Sequence, residues 1–125
     1  TIDEERRLYI TEKIVSNIKS LSLNSYGALV VNKIIGTNKD MNIRANILNQ
    51  VEENCIQIVQ NPFGNYIIQH ILDEWGPEVI KEVINVIIVN IISLSMQKFS
   101  SNVVEKCFDL VDSVRFDNIS KRGRK

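Results

Sequence analysis

Six side chains in the second half of this sequence bring hydrogen-bonding and stacking chemistry together at helical spacing. Asn65 and Gln69 stand four residues apart with Tyr66 beside the first, and Ser101, Asn102 and Glu105 repeat the arrangement 36 residues later. Residues at i and i+4 share one face of a helix. An amide carries both donor and acceptor, a hydroxyl serves as either, and a carboxylate only accepts. An exposed tyrosine adds a flat surface for stacking. This is recognition chemistry, not bond-making. No Gly-rich phosphate loop and no Ser/His/Asp or Cys/His arrangement is present; His70 has no partner at metal-ligand spacing, and Cys55 and Cys107 form no CxxC pair. Glu52 and Glu53 are adjacent and point to two sides of a helix, which reads as a solvated face. Neither an enzyme nor a cofactor or metal site is expected.

Taken singly, Asn, Gln, Ser and Glu on a helix also read as a solvated face. Recurrence in register reverses that reading. Ser25 to Asn32, Pro62 to Gln69 and Lys98 to Glu105 align, with the aromatic residues Tyr26, Phe63 and Phe99 spaced by 37 and 36 positions. The same shift carries Ile43 to Val79, Ile47 to Val83, Val51 to Ile87 and Cys55 to Ile91, and Asn17, Asn54 and Asn90 follow one another in the same register. Such a period is the signature of a repeat architecture.

Within each period the apolar spacing is helical. Ile10, Ile14, Ile18 and Leu21 mark one helix face, and Ile43, Ile47, Val51, Cys55 and Ile58 repeat it, as do Val79, Val83, Ile87, Ile91 and Leu94. The segments 30–35, 67–72 and 103–108 predict second, shorter helices. Asn17, Asn54 and Asn90 fall near the foot of each first helix, where Asn tolerates a turn or left-handed conformation. Asn61-Pro62 introduces the second helix of the middle repeat, and residues 37–40 and Gly76-Pro77 are joints. The β-branched run 86–94 has strand propensity, but register with 49–58 makes it helical. Repeat one covers about 1–37, repeat two about 38–75 and repeat three about 76–110. Residues 111–125 hold the incomplete start of a fourth repeat and a basic tail, read as solvated or as a further binding contact. Each helical hairpin cannot bury its apolar face alone, so stacking three supplies the core.

A chain of 125 residues with 44% hydrophobic and 24% charged residues is globular. The opening residues show no signal peptide, and the most apolar stretch, 83–94, is too short to span a bilayer, so no membrane is expected. The net charge is zero, which argues against a nucleic-acid binder, since phosphate neutralisation leaves a basic footprint.

The phrases Gly64 to Leu72 and Gln97 to Cys107 closely resemble two consecutive repeats of the Pumilio (PUF) family. By period the resemblance covers nearly the whole chain; it is specific over repeats two and three and weaker over repeat one. It implies an all-α fold, a right-handed α-solenoid of about three stacked PUF-type repeats. It also implies that three residues per repeat, in the pattern 1-2-x-x-5, meet one base of single-stranded RNA, the first and fifth at its edge and the second by stacking. On that pattern Asn65 and Gln69 match the acceptor-donor-acceptor edge of uracil while Tyr66 stacks. Glu105 matches the adjacent N1–H and N2–H donors of guanine, Ser101 leaves room for the purine, and Asn102 lies against its plane. Repeat one departs from the pattern: Ala28 cannot hydrogen-bond, Leu29 is not aromatic, and only Asn32 is polar. Lys33, His70 and Lys106 follow the fifth position in each repeat, a column that meets phosphates or forms a solvated stripe.

The resemblance therefore implies a cytoplasmic regulator that binds messenger RNA 3′ untranslated regions containing GU. Exposed apolar repeat ends imply self-association or a chain cut from a longer one, and protein regulators on the outer face are further expected partners. Two other readings stay open: a backbone grip on structured ribosomal RNA with little base preference, and a helical scaffold for a protein.

Overall fold

The structure, a computed structural model, describes residues 1–76 and 78–110; the expected start of a fourth repeat and the basic tail lie outside the described residues. Each repeat holds three helices where the apolar spacing predicts two. Repeat one is α1 (Ile2–Val15), α2 (Ile18–Ser22) and α3 (Ser25–Thr37); repeat two is α4 (Met41–Glu53), α5 (Cys55–Val59) and α6 (Gly64–Trp75). Repeat three is α7 (Lys81–Val89), α8 (Ile91–Ser95) and α9, residues 100–110. No strand occurs among the described residues, and the β-branched run 86–94 is helical apart from Asn90.

The extra break has a local cause. Asn17, Asn54 and Asn90 take φ near −123°, −116° and −106° with ψ near 19–26°, so the chain leaves helical geometry for one residue without turning left-handed. Each side chain then donates its Nδ2–H to the carbonyl four residues back: Lys13 O at 2.8 Å, Gln50 O at 2.8 Å and Val86 O at 2.9 Å. A short amide that hydrogen-bonds nearby backbone competes with the helical ladder. These residues sit inside the first helix, not at its foot, and divide it.

The first helices α1, α4 and α7 pack in one row, and α3 lies on α6 in a second. Between the rows runs one continuous core that includes Ile18, Ile35, Ile47, Ile58, Ile71, Ile87 and Val103. Burying each such side chain contributes on the order of 1.5–3 kcal/mol. Polar contacts hold the first two repeats in register. Gln50 Nε2–H donates to Val15 O, and Trp75 Nε1–H donates to Ile35 O at 3.3 Å. The Arg44 guanidinium covers the Trp75 ring at 5.0 Å. Cys55 and Cys107 are buried and free. Burial pushes the Cys55 thiol up to about 12, with Cys107 and Glu52 adding to the effect, and the Cys107 thiol up to about 11. Both remain protonated at neutral pH and pack as small apolar groups.

The predicted apolar face of α1 is displaced. Ile10 is 56% exposed, while Thr11 and Val15 face the core and the Thr11 hydroxyl donates to Arg7 O. Exposed apolar residues collect on both outer repeats. Ile2, Tyr9 and Ile10 line a hollow on α1, and Ile84, Ile87, Ile88, Ile91, Val104 and Phe108 line a groove on repeat three. The residues 36 positions earlier include Val51, Cys55, Ile68 and Leu72, all buried, the first two on α4 and α5, against which α7 packs. The groove on repeat three thus has the character of a stacking face. No helix among the described residues is long and apolar enough to cross a membrane.

Candidate nucleic-acid interface

The helix that carries Asn65, Tyr66 and Gln69 is anchored from both sides of its start. The Asn61 side chain accepts from Phe63 N–H at 2.8 Å and Gly64 N–H at 3.0 Å, as Asn24 does for Tyr26 and Gly27 at the head of α3. These bonds satisfy donors that a helix start otherwise leaves open. Gly64 lets α6 approach the end of α5 so closely that an added Cβ would lie 2.4 Å from Ile58 O. Repeat one has the same contact between Gly27 and Leu21 O. In repeat three Ser100 takes the glycine's place, and its hydroxyl donates to Leu94 O at 2.7 Å.

Between α6 and α9 this packing leaves an open cleft of about 360 Å³, lined by Tyr66, Gln69, Asn102, Glu105, Lys106 and Asp109. The second and fifth residues of the motif in two neighbouring repeats therefore share one surface. Tyr66 is 58% exposed, and Asn102 and Glu105 are exposed beside it.

The first motif position does not join them. Spacing places Asn65 on the open face with Gln69, whereas the structure buries it completely. Its Nδ2 donates to Asn61 O at 2.9 Å and Pro62 O at 3.0 Å, and its Oδ1 accepts from Gln69 Nε2 at 3.1 Å. Ser101 is turned the same way, donating its hydroxyl to Lys98 O at 3.0 Å. The reason is positional: a short polar side chain in the first turn of a helix finds nearby backbone carbonyls before it can reach outward. In repeat one Ala28 is only 5% exposed, so its lack of a hydrogen-bonding group removes nothing from the open face. Leu29, 68% exposed, and half-buried Asn32 are what repeat one presents.

Two residues of the cation column have partners within the protein. His70 Nδ1 lies 2.9 Å from Asn32 Oδ1 and its Nε2 lies 3.7 Å from the Glu74 carboxylate, while Lys106 Nζ pairs with Asp73 at 2.6 Å. Both side chains reach back to the preceding repeat, His70 to α3 and Lys106 to α6, so they serve as inter-repeat links; Lys33 is exposed. A partly exposed ion pair contributes about 0–1 kcal/mol, so this one sets register more than stability. Asp73 and Asp109 were not expected at the site. Their signal was available, because they recur 36 positions apart. The cleft lining thus sets the carboxylates of Glu105 and Asp109, which only accept, beside Lys106, whose ammonium pairs with Asp73.

Residues 54–88 and 90–119, more than half of the chain, match the family described as Pumilio-family RNA binding repeat. The chain belongs to the Pumilio family. Among its relatives, Pumilio homolog 12 of Arabidopsis thaliana is 30% identical over 107 residues, covering 83% of this chain and 17% of that protein. Fem-3 mRNA-binding factor 1 of Caenorhabditis elegans is 31% identical over 109 residues, covering 74% of this chain and 18% of that protein. This Pumilio-family chain therefore spans less than a fifth of either relative. Its fold is that of solved α-solenoids of the same family. The Puf4 RNA binding domain bound to HO endonuclease RNA 3′ UTR recognition sequence superposes with a TM-score of 0.78 at 22% identity, over 85% of this chain and 33% of that one. The Puf3 RNA binding domain bound to Cox17 RNA 3′ UTR recognition sequence site A gives 0.70 at 29% identity, over 82% of this chain and 31% of that one.

Proposed function

We propose that the cleft between α6 and α9 binds single-stranded RNA one base per repeat, with repeat two reading uracil and repeat three reading guanine. The observation that carries this is the gathering of Tyr66, Gln69, Asn102 and Glu105 from two repeats around one open cleft. Gln69 offers one amide to the edge of uracil. The Glu105 carboxylate accepts from guanine N1–H and N2–H and repels the carbonyl edge of uracil. Tyr66 and Asn102 supply faces for the bases, and Leu29 and Asn32 supply a weaker contact in repeat one. The family's antiparallel orientation makes the sequence 5′-G-U-3′.

The biological role that follows is post-transcriptional regulation in the cytoplasm through messenger RNA 3′ untranslated regions, in keeping with the RNAs named in the solved complexes. Protein regulators on the outer face belong to the same reading. A backbone grip on structured RNA demands free cations and gives a steep salt dependence; the pairing of Lys106 with Asp73 disfavours it. The Tyr66→Ala variant tests the proposal. Titration against a GU-containing RNA should show binding weaker by roughly 1–3 kcal/mol, the value of one stacked base, with an unchanged melting temperature. A drop in melting temperature with no separate loss of affinity would make Tyr66 a packing residue and move the binding face elsewhere.

The apolar groove on repeat three supports self-association by end-to-end stacking of repeats. Light scattering should show mass rising with protein concentration; a constant monomer mass over a wide range rejects this part of the reading.

A further inference from the structure

We propose that Asp73 is a positioning residue that withholds the Lys106 ammonium from RNA phosphate and so keeps the sequence-independent share of binding small. The inference rests on the reading above that the cleft between α6 and α9 takes RNA. Lys106 is the one cation among the described residues that line this cleft, beside the carboxylates of Glu105 and Asp109. Its Nζ reaches back one repeat and lies 2.6 Å from Asp73 Oδ1. The pair is not sealed inside the protein, since the Lys106 side chain is 30% exposed and that of Asp73 53%. An exposed ion pair is worth little in water, so a phosphate and Asp73 compete for the ammonium on similar terms. While Asp73 holds it, Lys106 neutralises no phosphate and releases no counterion.

The repeat register shows that the carboxylate, not the backward reach, is what distinguishes this junction. Asp73 stands four residues after Gln69, as Asp109 stands four after Glu105. The position 37 residues before Asp73 is Gly36, and a Cβ added there would lie 3.5 Å from His70 Cε1. His70, the repeat-two counterpart of Lys106, thus reaches back to the matching place on α3. It finds no side chain at Gly36 and meets Asn32 Oδ1 at 2.9 Å. The same backward geometry ends on an amide at one junction and on a carboxylate at the other.

The test is Asp73→Asn in the intact protein, an exchange that removes the charge but keeps the shape and one acceptor oxygen. Two RNAs are titrated over a range of salt concentrations, one with GU and one with C at both positions, and thermal melting is followed alongside. Affinity for both should rise by about two- to fivefold at low salt, the scale of one exposed ion pair. The plot of log affinity against log salt should steepen by about 0.7, the release of one counterion from a single strand. Equal gains on the two RNAs mark phosphate as the target, since a base contact would separate them. Adding Lys106→Gln should cancel both changes. Unchanged affinity and slope in the folded Asp73→Asn protein overturn the proposal. So does a fall in affinity together with the melting temperature, the mark of a purely structural link. A gain that survives Lys106→Gln overturns it as well, because lost negative charge alone would account for it. The base-reading proposal fails by a different result, equal affinities of the native protein for the two RNAs, which leaves the comparison of native and variant protein on either RNA intact.

Discussion

In the double variant Ser101→Asn/Glu105→Gln, the base preferred by repeat three should move from guanine to uracil, a change of roughly ten- to a hundredfold in relative affinity. The larger share comes from Glu105. Its carboxylate accepts from two guanine donors but meets a carbonyl oxygen when uracil is present, and exchanging it for an amide restores a donor. Ser101 contributes indirectly. In place of its hydroxyl bond to Lys98 O, an asparagine there can reproduce the link that Asn65 makes to Gln69. Glu105→Gln alone should therefore abolish the guanine preference without creating a strict one for uracil. Asn85→Ala is the control, since Asn85 is exposed on α7 and does not line the cleft. Paired RNAs differing only in the G or U provide the measurement. An unchanged preference in the double variant would remove Ser101 and Glu105 from base reading and bring the backbone-grip or scaffold readings forward.

The largest expected effect on stability is that of Gly64→Ala. A Cβ at this position would lie 2.4 Å from Ile58 O, 3.0 Å from Ile58 Cγ2 and 3.1 Å from Ile58 C. Two of the three are backbone, so relief requires α5 and α6 to separate, loosening the packing around Ile67 and Ile71, both fully buried. Forcing an extra carbon into packed structure costs about 1–3 kcal/mol. Alanine's better helix propensity, worth at most about 1 kcal/mol, offsets only part of this. The melting temperature should fall by on the order of 10 °C, and RNA affinity should fall with it because α6 carries Tyr66 and Gln69. Ser100→Gly in repeat three should be milder, since that site already accommodates a Cβ and loses only the bond to Leu94 O, about 1 kcal/mol. Equal melting temperatures for native and Gly64→Ala protein would show that the helices part without cost.

The helical class and the 36–37-residue period were legible in the residues themselves. Each depends on short-range spacing: apolar residues three and four apart mark a helix face, and the recurrence of Asn17, Asn54 and Asn90 marks a repeated local event. Even the break inside each first helix was present as a signal, because an asparagine that bonds to the carbonyl four residues back acts within one turn. What the period alone could not supply was the direction of individual side chains inside the motif.

That direction was decided by contacts across the stack. Asn65 and Gln69 share a helix face, as their spacing requires, yet one is buried and the other lines the cleft, because α6 is pressed against α5 and α3. Spacing read His70 and Lys106 as a column that meets phosphates or a solvated stripe; what it could not show is that the preceding repeat brings Asn32 and Asp73 within reach, 38 and 33 residues away in the chain. The sequence by itself determined that a repeating helical surface carries amides, a ring and a carboxylate in register. Only the tertiary structure decided which of them stand open to a partner and which hold the repeats together, because burial depends on neighbours that lie a full repeat away along the chain.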